Sequence, residues 1–165
     1  RHGRYFLDLD YPVTFVDKDI SGIADLSTHK NAKLMACDLE NSYLETHDPD
    51  NSDLENHDLK KPDPENNTPW PFQENQFSGI VVTNYLHRPL FPHLTTTIKL
   101  GGIIIYKTFS SGNEQFGRPK NPDFLLQSNE LRTVFNHGFK ELAFFQGLEN
   151  NPKRITQAIC VQRIS

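Results

Sequence analysis

Asp17, Asp38 and Asn84 each stand just after a short apolar run: Val13-Thr14-Phe15-Val16, Lys33-Leu34-Met35-Ala36-Cys37 and Ile80-Val81-Val82. The first run, short and rich in β-branched residues, suits a strand covered on both faces, and the other two read as strands as well. In an open α/β sheet the ligand crevice lies outside the carboxyl ends of the strands. A carboxylate there accepts hydrogen bonds from ribose hydroxyls, which is one chemistry open to Asp17; the other is capping its own strand-to-helix turn. Asp38 next to Leu39 pairs an acceptor with an apolar surface. That combination suits an adenine, with the acid toward the exocyclic amine, and it equally suits a solvated loop. Asn84 would put a polar side chain on the same crevice.

The elements that must position these residues follow from spacing. Tyr5, Phe6, Leu7 and Leu9 predict a short helix near the start, stopped by Tyr11-Pro12. Ile20, Ile23 and Leu26 keep helical spacing behind a capping Asp19. A helix over Leu90, Phe91, Leu94 and Ile98 follows Pro89, and Leu100-Gly101-Gly102 turns into the strand Ile103-Ile104-Ile105-Tyr106. Ser128 is placed to cap a helix carrying Leu131, Val134 and Phe135, with Glu130 in its first turn facing the positive end of the helix dipole. Two last strands, 139–145 and 155–162, form an antiparallel pair joined by 147–154. Strand–helix alternation ending in adjacent strands predicts an α/β layered sheet with a terminal hairpin.

Composition narrows the class. The 165 residues suit one domain over 1–165, and the net charge is −4. Ten acids and two lysines fall within 38–66, leaving eleven acids against fifteen bases elsewhere. The acidity therefore belongs to an insert, 40–69, in which Leu44-Glu45-Thr46-His47-Asp48 recurs as Leu54-Glu55-Asn56-His57-Asp58. With so little to bury, the insert is expected to be a mobile loop. His47 and His57 lack the spacing of a metal site, so no metal is assigned. Charge gives no clear nucleic-acid signal, and no run approaches the roughly 20 apolar residues of a membrane span. The two cysteines, Cys37 and Cys160, and the lack of a signal peptide point to a cytoplasmic protein.

Two stretches are more specific: TNYLHRP at 83–89 and GNEQFGRPKNPDFLL at 112–126. With the strand-end acids they resemble class I methyltransferases that use S-adenosylmethionine, in particular small bacterial methyltransferases loosely akin to the tellurite-resistance type. The resemblance covers nearly everything outside the insert. It implies a Rossmann-like three-layer sandwich with a mostly parallel sheet, strand order 3-2-1-4-5-7-6 and a C-terminal antiparallel hairpin. It also implies adenosylmethionine as cofactor. By position, Asp17 with Lys18 would meet the ribose, Asp38 and Leu39 the adenine, and Asn84 the region of the methionine. Such domains open with a strand and a glycine-rich loop. Here only Arg1-His2-Gly3-Arg4 matches the end of that loop, leaving Gly3 as its cofactor-binding residue and the first, central strand lacking. Lys107 stands where similar sequences carry an acid.

Tyr85, His87 and Arg88 after one strand, and Asn113, Phe116, Arg118 and Asn121 after the next, are expected to border the pocket of a small-molecule or other acceptor. The competing reading is a loop held by its own side-chain hydrogen bonds, with His87 structural. Methyl transfer needs alignment and exclusion of water more than a dedicated acid or base. The alternatives are a truncated, non-catalytic remnant that only binds and, ranked last, a nicotinamide enzyme, for which no GxGxxG or Tyr-x-x-x-Lys is present.

Overall fold

The computed structural model of the chain describes residues 2–40 and 70–165. Nearly all of the acidic insert, with His47 and His57, lies outside the described residues. The chain divides into two compact units, Arg1–Pro71 and Phe72–Ser165.

The first unit begins with helix α1, His2–Asp8, ended where Asp10 turns left-handed at φ 61°. Strand β1, Val13–Asp17, pairs in parallel with β2, Ala32–Ala36, Asp17 lying opposite Ala36. The segment between them is a 3-10 helix over Ser21–Leu26 rather than an α-helix, broken at Ile23 (φ −131°). Asp19 does bond the entry of that helix: Ser21 N–H donates to its Oδ1 at 2.9 Å.

The second unit is built on a four-stranded sheet in the order β3-β4-β6-β5. β3 is Phe77–Thr83, β4 Ile98–Phe109, β5 Phe139–Asn150 and β6 Lys153–Arg163. β3 and β4 run parallel; β6 is antiparallel to both of its neighbours. Numbered as the resemblance numbers them, the two sheets read 3-2 and 4-5-7-6. No strand in the position of strand 1 is found among the described residues, so β1 and β3 each have one hydrogen-bonded neighbour.

Helix α2, Phe91–Thr97, and the single-turn α3, Glu130–Val134, supply the core with Phe91, Leu94 and Leu131. Phe91 contacts both Tyr106 of β4 (ring centroids 5.5 Å) and Phe135 (6.4 Å). Ile98, fully buried, opens β4 instead of closing α2. The strand bulges between the Phe77–Ile98 and Gly79–Ile103 pairs, so Leu100 to Gly102 form a bulge within β4, not a turn before it. The last two strands are longer than the alternation predicts. Leu148 pairs with Ile155 and Glu149 with Arg154, which moves the reversal to Asn151 and Pro152. Lys107 has a partner on this hairpin: Glu149 accepts hydrogen bonds from both Lys107 and Arg154. Burial disfavours the charged form of Glu149, but the bonds from these two cations outweigh it and lower the carboxyl's pKa.

Ser128 does not cap α3. Its Oγ accepts from the Gln146 side chain at 3.2 Å, and Asn129, left-handed at φ 57°, occupies the cap position. Two backbone donors at the helix start are met from β5 and β6. Asn129 N–H donates to Gln146 Oε1 at 2.8 Å, and Leu131 N–H to Gln157 Oε1 at 2.7 Å. A remote amide thus replaces a local hydroxyl at a helix start.

Candidate ligand-binding site

In the first unit the structure brings Asp17, Lys18, Asp38 and Leu39 to one place, the carboxyl end of the β1–β2 pair. The ladder runs one step past the strands: Cys37 N–H donates to Asp17 O at 3.0 Å. Both acids bond the chain just after themselves. Asp19 N–H donates to Asp17 Oδ1 at 3.1 Å, and Glu40 N–H to Asp38 Oδ1 at 3.0 Å. The capping chemistry is therefore present, and for Asp17 it uses one oxygen. Its Oδ2 accepts no hydrogen bond among the described residues, and the side chain is exposed, as is Lys18. Leu39 is half-buried. Gly3 lies inside α1, where a Cβ would sit 2.2 Å from the Phe15 ring. It lets the helix approach β1 closely, the packing use of a glycine at such a position.

In the second unit, Asn84 and the two loops gather at the carboxyl end of the β3–β4 pair. Asn84 is exposed and left-handed (φ 55°), a conformation asparagine tolerates better than most residues, and its N–H donates to Lys107 O at 2.9 Å. The Tyr85 carbonyl accepts from the buried Tyr106 hydroxyl at 2.8 Å. Burial, first of all, pushes that hydroxyl's pKa well above the usual tyrosine value. Tyr106→Phe is expected to lower stability by about 1 kcal/mol, the net worth of one such bond, measurable by urea denaturation. No loss would mean that water satisfies the Tyr85 carbonyl equally well. His87 precedes the 3-10 turn Arg88–Leu90 and makes no side-chain cap bond there.

Arg88 joins the two loops. Its guanidinium donates to both oxygens of Glu130 (2.7 and 3.0 Å), to Asp123 O (2.7 Å) and to Leu125 O (3.0 Å). The hydrogen bonds that Arg88 donates to Glu130 are the main cause of the raised Arg88 pKa. The loop after β4 is closed at its base: Leu126 N–H donates to Phe109 O, Ser111 N–H to Leu126 O, and Ser110 bridges Leu126 in parallel. Gly112 supplies the left-handed turn (φ 96°), and a Cβ there would meet Ile155 at 2.9 Å. Asn113 is buried; its Oδ1 accepts from Ile155 N–H (3.0 Å) and its Nδ2 donates to Arg118 O (3.4 Å). Asn121 Oδ1 accepts from Asp123 N–H at 3.0 Å.

The motif residues Arg88, Gly112, Asn113 and Asn121 thus build the loop. What the loop presents is different: Phe116 (38% exposed), Phe124 (49% exposed), and the cations Arg118 and Lys120. Arg118, Pro119, Lys120, Asn121 and Phe124 line an open concavity of about 460 Å³. Sequence reasoning missed Lys120 and Phe124 as lining residues; the closely spaced positive charges of Arg118-Pro119-Lys120 were the available signal.

The fold is that of class I methyltransferases. TehB from Haemophilus influenzae superposes with a TM-score of 0.64 at 17% identity, over 97% of this chain and 52% of TehB. The 1,6-didemethyltoxoflavin-N1-methyltransferase of Burkholderia thailandensis, solved with bound 1,6-didemethyltoxoflavin and S-adenosylhomocysteine, gives 0.62 at 14% identity, over 100% of this chain and 67% of that one. SpnF, a [4+2]-cyclase, gives 0.61 at 9% identity, over 98% and 69%. The chain thus spans about half the length of TehB. The match supports the mixed α/β, Rossmann-like architecture with its C-terminal hairpin. No family model and no curated protein is matched by the sequence.

Proposed function

We propose that the protein is an S-adenosylmethionine-dependent methyltransferase that binds its cofactor at the carboxyl end of β1 and β2. The observation that carries this reading is that Asp17 ends β1 and Asp38 follows the end of the neighbouring β2, with Asp17 exposed and its Oδ2 accepting no hydrogen bond among the described residues. That oxygen fits a ribose hydroxyl, and Leu39 beside Asp38 offers apolar surface to a base. When bound, the cofactor supplies a sulfonium methyl for direct displacement by a nucleophile in line with it. The chain's own part is to orient and to exclude water, which needs no metal or acid–base pair. The likeness to TehB and to the 1,6-didemethyltoxoflavin-N1-methyltransferase supports the donor, although fold alone does not entail a reaction. SpnF, with the same fold and a cyclase by name, favours a second reading in which the protein binds without transferring a methyl group.

Isothermal titration with S-adenosylhomocysteine tests the donor. Asp17→Ala is expected to weaken binding by about 1–3 kcal/mol, the scale of hydrogen bonds to a charged group. Equal affinity of the wild type and the variant would remove Asp17 from the site.

A further inference from the structure

We infer that the concavity at 118–124 binds the acceptor, and that the acceptor carries an anionic group next to a flat apolar ring. The inference rests on the methyl-transfer reading for the word acceptor, but its evidence is separate. Arg118 and Lys120 line one concavity of about 460 Å³, within the size range of small-molecule sites. Among the described residues neither cation has an ion-pair partner. Four other cationic side chains of this unit are paired, Arg88, Lys107, Arg132 and Arg154, while Lys99, Lys140 and Lys153 have no ion pair among the described residues either, so what sets Arg118 and Lys120 apart is that they share one concavity. The apolar surface of Pro119 and the half-exposed ring of Phe124 share the lining with the two cations and Asn121.

The segment is also held in place at both ends. Asn113 bonds Arg118 O, and Arg88 bonds the carbonyls of Asp123 and Leu125. Ordering a loop opposes folding, and this one keeps six of its seven residues, all but Pro119, exposed. Holding such a segment still is what a binding site gains from, because a preorganised loop loses little freedom when its ligand arrives. An arginine fork and a lysine ammonium together recognise a carboxylate or a phosphate. Phe124 and Pro119 provide the surface for a ring. Two cations in a hollow favour a small molecule over a nucleic acid, which is tracked by a longer basic groove.

The test is titration of the protein, with S-adenosylhomocysteine present, by phenyl phosphate, benzoate, inorganic phosphate and benzyl alcohol. Phenyl phosphate or benzoate is expected to bind at least about tenfold more tightly than the last two, and the stronger of the pair tells phosphate from carboxylate. Arg118→Gln and Lys120→Gln should each weaken that probe by about tenfold or more, and Phe124→Ala by about fivefold. Equal binding of inorganic phosphate, unchanged affinity in both glutamine variants, or tighter binding of a single-stranded RNA decamer would overturn the inference. Adenosylhomocysteine titrated into the same variants separates the two proposals. Donor binding with no probe binding removes only the acceptor inference; probe binding with no donor binding keeps the anion site and removes the donor reading.

Discussion

Arg88→Ala is expected to lower the unfolding free energy by about 2–4 kcal/mol, because it removes four charge-assisted hydrogen bonds at once. Two of them go to the carboxylate of Glu130, whose side chain is only 15% exposed, and two to loop carbonyls. Without the guanidinium that carboxylate is left poorly solvated and without a counter-charge, keeping only the Gln127 N–H at 2.7 Å. Breaking a fully buried pair costs about 3–5 kcal/mol. Arg88 itself is 38% exposed, so water recovers part of that cost and the expected value is lower. Arg88→Lys keeps the charge but cannot fork across two oxygens while reaching two carbonyls. It should recover less than half of the loss in urea denaturation. A change under about 1 kcal/mol for Arg88→Ala would mean that the two loops hold together without the strut.

Gln157→Ala should cost a similar amount, about 2–4 kcal/mol, for a different reason. Gln157 is fully buried on β6. Its Oε1 accepts the Leu131 N–H at the start of α3, and its Nε2 donates to Gln127 O (3.1 Å) and Gln146 Oε1 (2.7 Å). Truncation strips a helix-start donor and a loop carbonyl of their partners and opens a cavity. Gln157→Glu keeps the shape but converts two donated bonds into contacts between acceptors and places a carboxylate among them. Its loss should therefore exceed that of alanine at pH 7 and shrink as the pH falls and the carboxyl takes up a proton. A glutamate variant as stable as the wild type would show that the amide is not holding this network.

These two residues also mark where sequence reading stops. The strands were legible because their signal is local: branched apolar runs ending in Asp17, near Asp38 and at Asn84 are read without knowing any partner. The parallel pairings and the final hairpin followed from element order. Lost were features set by distant partners. Gln157 meets Leu131 across 26 positions and Arg88 meets Glu130 across 42, and no pattern near either residue announces the match. Ser128 has ordinary capping chemistry, yet Gln157 and Gln146 reach the helix start from the neighbouring strands. The 3-10 segment at Ser21–Leu26 had apolar spacing close enough to 3.6 to pass for an α-helix. At the site, the acids could be placed at strand ends. Which loop residues build and which present could not be separated, because nothing near Asn113 in the sequence says that it is buried, and nothing near Arg118 says that it is exposed.

The account depends on donor binding at the edge shared by Asp17 and Asp38. Amide chemical shifts of the isotopically labelled protein, followed as S-adenosylhomocysteine is added, test this most directly. Saturable shifts clustered at Asp17, Lys18, Asp38 and Leu39 are the predicted result. An absence of shifts at these four residues, with the ligand bound elsewhere or not at all, would contradict it.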